Sequence, residues 1–179
     1  MTTTNTARGF SWPRLMGWGL GALVLLVPAI AMQFTSEVNW DWKDFLFAGV
    51  LVGVVGLVLE LAARATPNGS YRFGVGVAVM AAFLLTWANA AVGIIGNEDN
   101  PRNIMFLVLL LIPAVGAVVV RFRAGGMARV MAATAVGQVT IGLIAPALGD
   151  LILVMTAVWG AMWLASAALF RKAAREIAS

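Results

Sequence analysis

The chain has no cysteine and no histidine among its 179 residues. Without cysteine there is no disulfide framework, no thiolate metal site and no thiol nucleophile. Without histidine there is no imidazole-ligated haem, none of the usual zinc sites and no imidazole general base. Charge is scarce too. Asp, Glu, Lys and Arg make up 11% of the residues, against about 25% in an ordinary soluble domain. Hydrophobic residues make up 61% and the mean hydropathy is +0.93. That leaves too little polar surface to cover a water-soluble globule, which excludes a soluble enzyme. No cofactor is expected, only bound lipid.

What the chain has is apolar length. A bilayer-spanning helix needs about 20 mostly apolar residues, and six stretches qualify: Leu15–Gln33, Phe45–Ala63, Phe73–Gly96, Ile104–Val120, Ala128–Leu148 and Leu151–Phe170. Together they take 120 of the 179 residues, so the rest amounts to short tails and connections. The expected fold is all-α, a single polytopic transmembrane bundle over residues 1–179. The positive charges orient it. With the N-terminus in the cytoplasm, Arg8, Arg14, Arg64, Arg72, Arg121, Arg123, Arg129, Arg171, Lys172 and Arg175 lie inside, and only Lys43 and Arg102 lie outside. This bias across short loops predicts six spans with both termini cytoplasmic. The net charge of +4 is thereby a membrane-orientation charge, and no nucleic-acid partner is expected. The first stretch has a basic lead and an Ala29-Ile30-Ala31 triplet, as a signal peptide would. It is long enough to span, and removing it would spoil the paired charge pattern, so it is read as the first transmembrane helix.

The outer loops carry six of the eight acids, among them Glu37, Asp41, Asp44, Glu98 and Asp99. Oxygen ligands suit a hard cation such as Ca²⁺, so these residues form a candidate outer acidic patch. The competing assignment makes Asp41 the N-cap of the second span, with Asp44 in its first turn. Trp40 and Trp42 then stand at headgroup depth. Asn100-Pro101 reads the same way, as an N-cap followed by proline at the first helical position. The cap assignment is favoured in both loops. Gly149-Asp150 joins the last two spans as an antiparallel hairpin. On the inner side Arg121, Arg123, Arg129, Arg171 and Lys172 face anionic headgroups.

Ionisable or amide side chains inside a span are functional candidates because their burial is expensive. Glu60 is the one carboxylate within a span, with Arg64 at i+4 in the favourable order for an ion pair. Asn89 and Gln138, with Thr134 and Thr140 nearby, act either as interhelical glue or as the lining of a polar cavity. Gly17-x3-Gly21, Gly49-x3-Gly53 and Ala161-x3-Ala165 permit close helix approach. Leu25–Ala31 and Leu110–Gly116 each carry a mid-span proline, Pro28 and Pro113, in a similar setting. This is the pattern of an inverted repeat if it is more than chance.

The run Ala91–Pro101, preceded by Trp87-x-Asn89, resembles small uncharacterised inner-membrane proteins of bacteria. The resemblance implies a multi-pass location in that membrane and no particular activity. Three functional expectations follow, in descending order. The first is a non-catalytic membrane protein that packs against a larger membrane partner or itself. The second is a small transporter or ion or proton channel using Glu60, Asn89 and Gln138. The third is a membrane enzyme working with the outer carboxylates.

Overall fold

In the computed structural model, residues 12–97, 99–144 and 150–179 are described. They form helices α1 (Trp12–Ala31), α2 (Trp42–Ala65), α3 (Gly69–Ala91), α4 (Ile104–Leu109), α5 (Leu111–Val119), α6 (Ala124–Ile144) and α7 (Asp150–Ala178), with a 3-10 turn at Pro101–Asn103. No strand occurs among the described residues. Five segments are long and apolar enough to cross a membrane: α2, α3, the 3-10 turn with α4 and α5, α6, and α7 from Ile152. Met16–Ala31 is a shorter apolar helix. The chain divides into two compact units, Met1–Val58 and Leu59–Ser179.

In the first unit α1 and α2 run antiparallel, with side chains of each seated on glycines of the other. A Cβ at Gly21 would lie 2.7 Å from Val52 Cγ1, and one at Gly56 would lie 3.0 Å from the Trp18 ring. Pro28 sits inside an unbroken α1. The entry to α2 is a capping box. Asp41 Oδ1 accepts from the amides of Lys43 and Asp44 at 2.7 and 3.0 Å, while Asp44 Oδ2 accepts from the Asp41 amide at 2.8 Å. Trp40 packs edge-on against Phe45 at 5.3 Å, the hydrophobic staple that accompanies such a box.

The second unit is built on α3, α6 and α7. Between helices in lipid, association comes from close packing and interhelical hydrogen bonds, since the surrounding tails are as apolar as the side chains. Glycines on α6 supply the close approach. A Cβ at Gly137 would meet Leu109 Cδ1 at 2.7 Å, and one at Gly142 would lie 2.9 Å from Thr156 Cβ. Gly116 of α5 likewise accommodates Val130, its missing Cβ 2.7 Å from that side chain. Against α3, α7 contributes two side-chain bonds to backbone carbonyls. Trp159 Nε1 donates to Ala81 O at 3.0 Å, and Ser166 Oγ donates to Gly74 O at 2.8 Å. Phe170 covers Gly74, where a Cβ would sit 3.3 Å from the ring. Trp163, Phe106, Phe170, Leu85, Ile95 and Met131 are fully buried. The outward faces, with Val136, Leu143, Val154 and Leu164 exposed, are apolar surface that fits an integral membrane protein in contact with lipid.

Several boundaries depart from hydropathy: α6 begins at Ala124 and α7 runs on past Phe170 to Ala178, and two further departures are breaks in a helix. The third stretch, expected to span to Gly96, leaves the helix after Ala91, because Gly93 and Gly96 take φ of +68° and +73°. Ile94 and Ile95 are buried in the turn that follows. The fourth stretch is interrupted at Leu110, three residues before Pro113, whose ring removes the N–H that Leu109 O would have received. The two prolines thus act differently: one rides within a helix and the other follows a break. α5 is followed by two non-glycine residues in the left-handed region, Arg121 at φ +53° and Phe122 at φ +57°.

Candidate functional site

The polar residues of the second unit fall into three groups at different depths. At the end where α2 meets α3, Arg64 Nε and Glu60 Oε1 form an ion pair at 2.7 Å, with the Glu60 side chain 20% exposed and that of Arg64 68% exposed. Arg72 reaches back to the end of α2, donating through Nε to Thr66 O at 2.7 Å and through Nη2 to Ala63 O. It thereby satisfies carbonyls that a helix end leaves open. Asn68 caps α3 by accepting from the Tyr71 amide at 2.8 Å. Its Nδ2 donates to Glu176 Oε2 at 2.9 Å, and Ser70 Oγ donates to Glu176 Oε1 at 3.1 Å. The α2–α3 connection is thus tied to the far end of α7. Tyr71 OH donates to Phe122 O at 2.7 Å, holding the left-handed turn. Arg121, Arg123, Arg129, Arg171, Lys172 and Arg175 are exposed around the same end, so it presents a basic surface of the kind that attracts anionic headgroups.

At the opposite end, where α3 leads into the 3-10 turn, the central residue is Asn103, which is buried. Its Oδ1 accepts from the amides of Ile94 and Ile95 at 3.1 and 2.8 Å, and its Nδ2 donates to Ile95 O and Asn97 O at 3.4 and 2.7 Å. Asn89 Nδ2 donates to Asn103 O at 3.3 Å, while Asn89 Oδ1 is buried with no partner. Asn100 accepts from the Arg102 amide at 3.0 Å and caps the 3-10 turn.

Between these ends lies Gln138, also buried, its Oε1 without a partner. Gly160 lies against Val139, and Trp159 bonds Ala81, which puts Gln138 at the level of Ala81. Asn89 is eight residues further along α3, about 12 Å at the helical rise of about 1.5 Å per residue. The two amides therefore do not line one compact site. The threonine hydroxyls are spent locally, Thr134 on Val130 O at 3.0 Å and Thr140 on Val136 O at 2.9 Å.

Of the acids in the candidate patch, Asp41 and Asp44 cap α2, the Glu37 amide donates to Thr35 Oγ1, and Asp99 is exposed. Glu98 lies outside the described residues, as do Arg8 and Gly149. Among the described residues no group of three or more carboxylates, histidines or cysteines is placed to hold a metal ion. Trp42 is exposed with Lys43 Nζ 6.0 Å from its ring centroid, whereas Trp40 serves the staple. Asn103, Trp163 and Glu176 had not been singled out from the sequence. Asn103 ends an Asn-Pro-Arg-Asn run that reads as a cap and nothing more, and Glu176 finds its partners more than a hundred residues away in the chain. No family model, curated protein or solved structure matches the chain.

Proposed function

We propose that the chain is a non-catalytic integral protein of the bacterial inner membrane, crossing it six times with both termini in the cytoplasm. It works as an accessory subunit that packs against a larger membrane protein or against a second copy of itself. The observation that carries this reading is the α2 surface. Val50, Val54 and Leu57 are exposed along it, and within the first unit a Cβ at Gly49 or Gly53, or at Gly17 on α1, would meet nothing. A span that is this bare and this rich in small residues is suited to receiving another helix closely.

A second reading, a small transporter or channel, is favoured by the unpartnered acceptors on Asn89 and Gln138, both buried within the helices of the second unit. Catalysis at the outer carboxylates has less support, because Asp41 and Asp44 are occupied as caps. Extraction into native-lipid nanodiscs, sizing and identification of co-purifying chains tests the proposal. Wild type should travel in a complex or as an oligomer, and Gly49→Ile with Gly53→Ile should release it as a folded monomer. A monomeric wild type would overturn the packing role, and proton or cation flux in liposomes would put transport in its place.

A further inference from the structure

Two polar atoms in the core of α6 and α7 have no hydrogen-bond partner, the Gln138 Oε1 acceptor and the Trp163 Nε1–H donor. Their residues are 1% and 0% exposed. The helix register brings them to one level. Val139 lies against Gly160 and Gly142 against Thr156, so the helices are antiparallel and Gln138 stands within a turn of Trp163. Side chains on a helix lean toward its N-terminus. In this antiparallel pair the Gln138 amide therefore leans toward the level of Trp163, and the Trp163 indole leans toward the level of Gln138. Thr134 precedes Gln138 by one turn on the same face, lies beneath that amide and is fully buried. Its hydroxyl proton goes to Val130 O, leaving its oxygen free to accept. On the α3 side the buried residues at this depth are the small Ala78 and Ala81. None of the three polar side chains is charged, so they suit a neutral molecule that both donates and accepts.

We propose that Thr134, Gln138 and Trp163 hold one internal water molecule within the bundle, accepting from Trp163 Nε1–H and donating to Gln138 Oε1 and Thr134 Oγ1. Three hydrogen bonds is the usual complement of a buried water, and a bilayer interior offers no solvent that would otherwise satisfy these groups. Asn89 belongs to the outer turn and is not part of this site.

The test uses the full chain in lipid nanodiscs with ¹⁵N-labelled tryptophan indoles, with Trp163→Phe assigning the resonance. Magnetisation should transfer from water to the Trp163 indole proton, and Gln138→Leu should abolish that transfer. The Trp159 resonance, held by its bond to Ala81 O, should stay in place and report an intact fold. If Gln138→Leu disturbs the Trp159 resonance, Gln138→Met takes its place. A wild-type Trp163 indole that is observed but receives nothing from water overturns the proposal. Transfer that persists undiminished in the Gln138 variant overturns it as well.

Discussion

Replacing Asn103 by alanine should be among the most damaging single changes outside the α6–α7 core. The side chain accepts from the amides of Ile94 and Ile95 and donates to the carbonyls of Ile95 and Asn97. Ile94 and Ile95 are 7% and 0% exposed, so water cannot take over at their amides. A buried donor left without a partner costs about 1–3 kcal/mol, whereas the Asn97 carbonyl, on an exposed residue, regains water. Two orphaned amides with partial relaxation give an expected loss of about 3–4 kcal/mol. Asn100→Ala is the internal control. It removes a cap on an exposed turn, which is worth about 1 kcal/mol. Both variants are to be measured by reversible SDS unfolding in mixed micelles, followed through tryptophan fluorescence, with amide exchange at Ile94 and Ile95 as the local readout. An Asn103→Ala protein no less stable than Asn100→Ala, with protected amides at 94 and 95, would refute the reasoning.

Arg121→Gly relieves a left-handed residue at φ +53° and should raise stability by about 0.5–1 kcal/mol after the unfolded-state entropy of glycine is set against it, seen as a higher SDS midpoint. Gly142→Val drives a branched side chain into Thr156 and should cost about 1–3 kcal/mol by overpacking; an unchanged midpoint would mean that α6 and α7 separate there at no cost. Glu60→Gln should change stability by only about 0.3–0.5 kcal/mol, the worth of an exposed i,i+4 pair. If liposomes show that wild type moves protons and Glu60→Gln does not, the carboxylate has a transport role and the packing reading fails.

Apolar length was legible in the sequence, because spanning a bilayer is a demand on composition that hydropathy measures directly. Ends were legible only where local chemistry sets them. The Asp41/Asp44 box is a four-residue pattern, and the i,i+4 spacing of Glu60 and Arg64 is itself the geometry of an ion pair. The end of α3 was not legible, since Ile94 and Ile95 are as hydrophobic as any span residue, and only the positive φ of Gly93 and Gly96 with the grip of Asn103 turns them out of the helix. The overrun of α7 to Ala178 was missed for the opposite reason. Its last turns carry Arg171, Lys172, Arg175 and Glu176, which hydropathy treats as loop, although Ala173 is buried and Glu176 is bonded to Asn68 and Ser70. Glycine spacing likewise did not distinguish the packed Gly21 from the open Gly17, Gly49 and Gly53, which share its x3 spacing, and it passed over the packed Gly116 and Gly142, which belong to no such pair.

The absence of cysteine makes the proposed six-span arrangement directly measurable, because every introduced thiol is the only one in the chain. Pro67→Cys, Asp99→Cys and Ser179→Cys occupy exposed positions in the α2–α3 connection, the outer loop and the C-terminus. Each is labelled with a membrane-impermeant maleimide in intact cells and again after lysis. Asp99→Cys should react in intact cells, while Pro67→Cys and Ser179→Cys should react only after lysis. Labelling of Ser179→Cys in intact cells would contradict an even number of crossings and, with it, the cytoplasmic placement of the basic end.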